Sequence, residues 1–278
     1  MRIPLPRIPF RHLPGGDRLW RTLGRPQPHR VVRYRIGAPH WPAAERLTVT
    51  VLTDLHTGST PGDLARMERI VADADALGSD LVLLGGDYVN ISGFGERVPP
   101  QTTARILARL RAPLGRFAVL GNHDWKFGYD AVAGALREVG FAVLENESRS
   151  LPLGDTTMRI VGLSDEVRGR PDPDRAFADI GDEPVLVLAH DPASLLRVRG
   201  RRLVMVSGHT HAGQYAFPGI GPLVNMSRAP RAWTHGLVTE GESALVVGAG
   251  LGMSLLPLRN IPGEILRLEL GPGPTEAA

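Results

Sequence analysis

The stretch Leu47-Thr48-Val49-Thr50-Val51-Leu52-Thr53-Asp54-Leu55-His56 joins a strand-like apolar run to a carboxylate and an imidazole. Alternating Val, Thr and Leu residues are typical of a β-strand. Asp54 and His56 follow this run and stand two residues apart, a spacing that places both side chains on the same side of an extended chain. Both side chains can therefore contact one metal ion.

Four further apolar runs end in residues of the same kind. In chain order, the motifs after them are Gly85-Gly86-Asp87, Gly121-Asn122-His123-Asp124, Ala189-His190-Asp191 and Gly208-His209-Thr210-His211. The carboxyl ends of neighbouring strands converge on one crevice, so these side chains are expected to meet. A carboxylate such as Asp87 can bridge two ions, Asn122 offers a neutral oxygen, and the histidines supply nitrogens. The sequence therefore predicts a two-metal hydrolytic centre.

The composition restricts the chemistry of that centre. The 278 residues suffice for a sizeable core, and 42% apolar with 22% charged residues is an ordinary globular balance. There is no cysteine, which excludes disulfides and thiolate metal sites. The remaining ligands are imidazole, carboxylate, amide and water, and such sites accept Mn, Fe or Zn. We expect two divalent transition-metal ions, whose identity the sequence leaves open.

The charge is unevenly distributed along the chain. Residues 1–40 contain nine arginines and one acid, Asp17, a balance of +8, whereas the whole chain carries +3 and the remainder therefore −5. Bulky apolar residues such as Ile8, Phe10 and Trp20 lie among these arginines. Such a segment suits the surface of an anionic membrane, although a loosely packed extension explains it equally well. The acidic remainder argues against a nucleic-acid partner.

The order of apolar runs predicts an α/β fold. We expect a basic Arg/Pro-rich arm over residues 1–30, one domain over 31–271 and a disordered tail over 272–278. Residues 31–36 and 47–52 are predicted to form a pair of strands. Helices are predicted to begin after a Thr60 cap and to cover 102–110 and 129–139. Two mixed sheets packed face to face, with helices outside each, make a four-layer α/β/β/α sandwich.

The five motifs in this order resemble the signature of the calcineurin-like metallophosphoesterase superfamily, over roughly residues 47–270. The resemblance implies that Asp87 bridges the two ions. It further implies that His123 is not a ligand but protonates the leaving oxygen or steadies the phosphate, oriented by Asp124. The ligands implied are Asp54, His56, Asp87 and His211 for the first metal, and Asp87, Asn122, His190 and His209 for the second.

Within the superfamily the chain is similar to bacterial membrane-associated phosphodiesterases, a branch with UDP-2,3-diacylglucosamine pyrophosphatase-like members. The residues behind this similarity are Gly208 to Gln214, Gly250-Leu251-Gly252, Arg259 and Pro262-Gly263-Glu264-Ile265. The branch implies a phosphodiesterase or pyrophosphatase that acts on a nucleotide- or lipid-linked phosphate. No run approaches the ~18 apolar residues of a membrane span, so we expect a cytoplasmic protein, or one attached peripherally to the inner membrane face. A nuclease and a non-catalytic metal-binding scaffold remain the alternative functions.

Overall fold

The computed structural model describes the chain with a few gaps, over residues 28–60, 62–92, 95–214, 216–217, 221–222, 226–254 and 259–277. Residues 1–27, which make up most of the predicted basic arm, lie outside the described residues. So does Ala278, the last residue of the predicted tail.

A seven-stranded sheet forms the first half of the core. Its strands are β1 (His29–Gly37), β2 (Leu47–Leu52), β3 (Leu81–Leu84), β4 (Arg116–Ala118), β5 (Ala142–Val143), β14 (Gly263–Gly271) and β15 (Glu276–Ala277). They follow the spatial order β15-β1-β14-β2-β3-β4-β5. Strands β2 to β5 run parallel to one another, whereas β14 pairs antiparallel to β2 and parallel to β1.

The pairing of β1 corrects one prediction. Strands β1 and β2 lie in the same sheet but are not neighbours, because β14 is inserted between them. Nearly every residue of β14 is buried, as expected of a strand that is paired on both sides in the interior of a sheet. In the predicted tail, Glu276 pairs with Arg35 of β1.

Three helices cover the outer face of this sheet: α1 (Asp63–Asp75), α2 (Pro100–Leu107) and α3 (Asn122–Glu138). Met67, Ile70, Val71 and Ala74 of α1 recur at helical spacing and are buried, as predicted. The predicted Thr60 cap is wrong, since Gly62 in the left-handed conformation occupies that position. Helix α3 begins seven residues earlier than predicted and bends at Gly128, whose φ is 145°.

A second sheet of six strands forms the other half of the core. Its strands are β6 (Glu147–Leu153), β7 (Thr156–Gly162), β8 (Val185–Leu188), β9 (Val204–Ser207), β12 (Gly236–Glu240) and β13 (Ser243–Val247); Ala216–Phe217 (β10) and Gly221–Pro222 (β11) form a small separate hairpin. The spatial order is β12-β13-β9-β8-β7-β6. Strands β7, β8, β9 and β13 run parallel, and the two edge strands run antiparallel to them. The outer face is covered by the short helix α4 (Pro173–Ala176) and by 3₁₀ turns, so this layer is thin.

The two sheets pack face to face through a shared apolar core. Val49 and Leu83 of the first sheet belong to the same buried cluster as Leu186 and Val206 of the second. A separate cluster fills the space between the first sheet and its helices. The predicted four-layer α/β/β/α sandwich is therefore confirmed. None of the helices within the described ranges is long and apolar enough to cross a bilayer.

Candidate metal centre

The predicted ligand residues all lie at the carboxyl edges of the two sheets. The first sheet supplies Asp54 and His56 after β2, Asp87 after β3, and Asn122 in the first turn of α3. The second sheet supplies His190 after β8, and His209 and His211 after β9. All seven are at the meeting point of the two sheets, and six of them are buried.

A first group of donors contains Asp54, His56 and His211, whose ligand-type atoms all lie within 4.8 Å of one another. The Nε2 atoms of His56 and His211 are 3.1 Å apart, and His211 Nε2 lies 3.4 Å from Asp54 Oδ1. Donors bound to one ion at ~2.1 Å are ~3.0–3.4 Å from each other. This group therefore has the spacing of a cation site.

A second group contains Asp87, His190 and His209. His190 Nε2 lies 3.1 Å from His209 Nδ1, 3.3 Å from Asn122 Oδ1 and 3.4 Å from Asp87 Oδ2. The four residues offer two nitrogens and two oxygens to a single point.

The Asp87 carboxylate lies between the two groups. Its Oδ2 atom is 3.6 Å from His56 Nε2 in the first group and 3.4 Å from His190 Nε2 in the second. Its Oδ1 atom accepts a hydrogen bond from the His123 amide at 2.8 Å. One carboxylate is thus within reach of donors on both sides.

The tautomers of His190 and His209 show whether a cation fits between the donors of the second group. His190 Nδ1–H donates to the Gly85 carbonyl at 2.8 Å, and His209 Nε2–H donates to the Met226 carbonyl at 3.2 Å. In neutral rings, the other two nitrogens then carry lone pairs, and these nitrogens face each other at 3.1 Å. Two acceptors at that distance repel unless a cation or a proton lies between them. The donor set therefore fits a metal ion.

The protonation states agree with this fit. Burial lowers the pKa of His56 to about 3 and that of His211 well below its usual value, so both rings are neutral, the form that binds metals. Burial alone would raise the pKa of Asp87, but the nearby His190, His123 and His56 outweigh it and hold the pKa well below the usual range. Burial alone would lower the pKa of His190, but the Asp87 carboxylate outweighs burial and raises this pKa.

The backbone is unusual where the ligands lie. Among the described residues, nine other than glycine have positive φ, and seven of these belong to the motifs after β2, β3 and β9: Asp54, His56, Asp87, His209, His211, Ala212 and Gln214. Such conformations are costly and persist only where the surroundings hold them. Here Asp54 itself helps, because its carboxylate accepts the His209 amide at 3.0 Å.

His123 lies beside both groups at the surface of the centre. Its ring meets the His56 ring edge to face at 4.5 Å between centroids, and its Nε2 atom is 4.0 Å from Asp87 Oδ2. The side chain is 14% exposed, whereas those of His56 and His190 are fully buried. Burial lowers its pKa. His123 is thus more accessible to a substrate than these buried ligand-type histidines.

Asp124 has a different set of partners from the one predicted. Its carboxylate accepts the amides of Asp87 at 2.7 Å, Tyr88 at 2.9 Å and Gly121 at 3.0 Å. The expected contact with the His123 side chain is not among these hydrogen bonds. Asp124 instead ties the start of α3 to the loop that carries Asp87, and so holds His123 only through the backbone.

The role of Asp191 is not apparent from the sequence alone, although the residue belongs to the motif Ala189-His190-Asp191. Its Oδ2 atom lies 3.6 Å from His209 Nε2, on the side of that ring away from His190. Its Oδ1 atom accepts hydrogen bonds from the Ala193 amide and the Ser227 hydroxyl. A carboxylate behind a ligand histidine orients the ring and increases its basicity. The feature of the sequence that could have indicated this role is the position of Asp191 directly after His190.

Two buried charged residues hold the loop of residues 249–252, which packs against Asp54. The Arg259 guanidinium donates to the carbonyls of Gly252 and Ala249 and so braces this loop. Glu264 accepts the Ala249 amide at 3.1 Å and pairs with Arg30 and His235, each at 2.8 Å. Burial alone would raise the pKa of Glu264, but these partners lower it to about 2.

Comparison with known proteins gives consistent matches over the region that carries the motifs. The profile of the calcineurin-like phosphoesterase family matches residues 47–213. The phosphodiesterase YaeI of Escherichia coli is 33% identical over 217 residues, 72% of this chain and 75% of that protein. The uncharacterized metallophosphoesterase YkuE of Bacillus subtilis is 28% identical over 200 residues, 70% of this chain and 69% of that protein. A Helicobacter pylori metallophosphoesterase is 30% identical over 241 residues, and the match spans 60% of its length.

Proposed function

The chain belongs to the calcineurin-like phosphoesterase family of metal-dependent phosphoester hydrolases, and we propose that it is a two-metal phosphodiesterase or pyrophosphatase. Its substrate in this proposal is a nucleotide- or lipid-linked phosphate. The observation that carries the two-metal proposal is the position of the Asp87 carboxylate, 3.6 Å from His56 Nε2 and 3.4 Å from His190 Nε2. A single-metal enzyme does not need a carboxylate between two groups of donors.

The residues divide into two ligand sets in this proposal. Asp87 belongs to both sets, and Asn122 adds a neutral oxygen to the second. Asp54, His56 and His211 complete the first set, and His190 and His209 complete the second. Divalent ions held there would supply positive charge to the phosphoryl oxygens and make hydroxide available at neutral pH. Mn, Fe and Zn all suit such ligands.

His123 acts on the leaving group in this proposal. Its partial exposure and its position next to His56 and Asp87 leave its ring facing the place where a phosphoryl group would lie. An N–H of this ring donates to the leaving oxygen, either transferring the proton or stabilising the charge that develops there. The Asp124 carboxylate fixes the start of α3, and with it the position of His123, against the Asp87 loop.

The substrate class rests on two kinds of support. A relative at 33% identity carries the name phosphodiesterase, which favours a diester over a monoester. The lipid- or nucleotide-linked nature of the substrate rests on the resemblance of the sequence to the membrane-associated branch. The nuclease alternative is weaker because residues 41–278 carry net negative charge, and the scaffold alternative is weaker because a non-catalytic protein has no need of the full donor set.

The basic arm completes the proposal. Residues 1–27 contain six arginines and one aspartate, and each basic residue near an anionic leaflet contributes about 1 kcal/mol to binding. We therefore place the protein in the cytoplasm, with peripheral contact to the inner face of the membrane.

Metal content and turnover together test the function. The purified full-length protein should contain two equivalents of transition metal, and chelation should abolish hydrolysis of an aryl phosphodiester. Asp87→Ala should lose at least one equivalent, whereas Asp130→Ala, an exposed position in helix α3, should keep both. Nucleotide pyrophosphates, lipid-linked pyrophosphates and single-stranded DNA then separate the substrate classes. Full activity with a single equivalent would contradict the two-metal proposal.

A further inference from the structure

The described part of the chain begins, at Pro28, at the same edge of the fold as the metal centre. Strands β1 and β14 run opposite to β2, so they begin where β2 ends. Gly263, the first residue of β14, donates its amide to the Pro28 carbonyl at 3.1 Å. It also lies beside Gly250, which packs against the Asp54 side chain. The arm therefore joins the folded domain next to the first group of donors.

Exposed apolar side chains concentrate at this edge as well. In the part of the chain for which side chains are described, four large hydrophobic residues are clearly exposed: Leu64 at 41%, Phe127 at 39%, Val167 at 54% and Met226 at 41%. Isolated exposed apolar residues are common on protein surfaces and need no explanation when scattered. Three of the four follow strands whose carboxyl ends lie at the metal edge, Leu64 after β2, Phe127 after β4 and Val167 after β7, and Met226 contacts His209 through its carbonyl.

Two of the four lie in the first two turns of helices that begin at the metal edge. Leu64 follows Asp63, whose carboxylate accepts the Gly58 and Ser59 amides in the loop after His56. Phe127 is four residues after His123 in α3, so the two side chains share a helix face.

The other two lie in loops of the second sheet. The Val167 amide donates at 3.0 Å to Asp165, a buried residue three positions beyond β7. The Met226 carbonyl accepts the His209 ring N–H. Together with the helix positions, these residues lie on segments that leave both sheets at the metal edge.

Exposed cations accompany the apolar residues. Lys126 precedes Phe127, Arg168 follows Val167, and Arg228 is two positions after Met226. The exposed acid Glu96 in the loop after β3 is adjacent to exposed Arg97, so that pair adds no net charge. Apolar and basic side chains in alternation are the pattern of a surface that inserts shallowly among anionic headgroups.

We infer that the edge bearing the metal centre is the surface with which the protein docks on an anionic bilayer. The inference rests on the proposed contact of the arm with lipid and extends it to Leu64, Phe127, Val167 and their basic neighbours in the folded domain. Docked in this way, the centre faces the membrane, and a lipid-linked phosphate reaches it without leaving the leaflet. The separated apolar side chains and the basic surroundings fit a lipid surface better than a protein partner, whose binding site would be a contiguous apolar patch.

The test compares full-length variants in binding to vesicles of equimolar phosphatidylglycerol and phosphatidylcholine. The apolar variant is Leu64→Ser/Phe127→Ser/Val167→Ser, and the charge variant is Lys126→Glu/Arg168→Glu. The matched control is Arg46→Glu/Arg105→Glu, which makes the same charge change at exposed positions away from the metal edge. We expect the apolar and charge variants each to bind at least about tenfold more weakly, and the control to change less than about twofold.

A separate variant, Arg2→Glu/Arg7→Glu/Arg11→Glu, reports the contribution of the arm to vesicle binding. If it alone weakens binding while the apolar and charge variants bind like the parent chain, the docking surface is refuted and the arm contact stands. If the control falls as far as the charge variant, binding depends only on net charge and the inference also fails. If the apolar variant instead abolishes a dimer seen by light scattering, the edge is a protein interface and the inference is overturned. Aryl phosphodiester turnover of the same preparations reports the proposed function independently.

Discussion

Replacing Gly121 with alanine is expected to disable the metal centre without straining the backbone. Gly121 has φ −94° and ψ 176°, an extended conformation that alanine adopts freely. The cost is therefore steric. A Cβ atom at this position would lie 2.2 Å from Asp87 Oδ1, 2.7 Å from the Asp87 amide nitrogen and 2.7 Å from His190 Cε1.

The size of the effect follows from these distances. Ordinary contacts of a Cβ atom begin at 3.4 Å, so the Asp87 carboxylate and the methyl group must separate by about 1 Å. Asp87 is 2% exposed and His190 is fully buried, so neither side chain can move into solvent. A displacement of ~1 Å in an active site costs on the order of 10²-fold in rate. The same displacement moves a carboxylate and an imidazole of the second group, so at least one ion should be lost.

The control lies in the helix that Gly121 precedes. At Gly134, inside α3, a methyl group would have no other atom within 4 Å, and Gly→Ala in a helix interior stabilises by roughly 0.5–1 kcal/mol. Metal content, aryl phosphodiester turnover and thermal unfolding of Gly121→Ala and Gly134→Ala should therefore diverge. If Gly121→Ala retains two equivalents of metal and parental turnover, the packing argument is wrong. Equal loss in both variants would point to a general defect of α3.

Three further outcomes follow from the site. His123→Ala should keep the metal content of the parent chain but slow turnover by roughly 10²–10⁴-fold, the usual effect of a positioned proton donor; a lost equivalent of metal would make His123 a ligand. Asp191→Asn should weaken binding of one Mn ion by about 10–100-fold in calorimetry, because the carboxylate behind His209 is removed; unchanged affinity would mean that the Met226 carbonyl alone suffices to orient the His209 ring. Glu264 has a pKa lowered to about 2 from 4.5, so its stabilisation is complete above pH 4.5 and is lost as the pH falls towards 2. Glu264→Gln should therefore lower the free energy of unfolding by about 2 kcal/mol at neutral pH, which is less than the full pKa shift would give because Arg30 is half exposed. The variant should also show a flatter pH dependence of unfolding in that window; parallel unfolding curves for both proteins would contradict this.

The ligand residues could be predicted because a simple rule places them. Each follows an apolar run, and parallel strands bring their carboxyl ends to one edge whatever the length of the connections. Asp54 and His190 are far apart in sequence, yet the structure brings both to the centre.

The pairing of strands could not be predicted, because apolar runs do not identify their neighbours. Residues 47–52 form β2 with the predicted bounds, but nothing local shows that β14 enters between β1 and β2. Strand β6 was missed because most of its side chains are solvent-facing or half-buried, with only Leu151 and Leu153 buried.

The supporting contacts around the centre were also beyond sequence reasoning. The resemblance implies that Asp124 orients His123, and Arg259 is among the residues behind the similarity to the membrane-associated branch. In the structure their side chains bond to backbone amides and carbonyls instead. Which partner a polar side chain meets depends on loop conformations, and those depend on the left-handed residues that the tertiary structure maintains.

The insertion of β14 between β1 and β2 also constrains how the molecule is made. Arg30 and Glu264, paired across these strands, are 234 residues apart in the chain. During synthesis, β1 and β2 leave the ribosome long before β14, the strand that lies between them. The first sheet therefore lacks one of its inner strands until β14 has been made. Contacts of such sequence separation slow folding, and unpaired strand edges invite aggregation in the interval. A chain released by a ribosome that stalls before residue 263 would contain the motifs Asp54-Leu55-His56 and Gly121-Asn122-His123-Asp124 but would lack β14. Its first sheet would be incomplete, so chaperones or proteases would have to act on it.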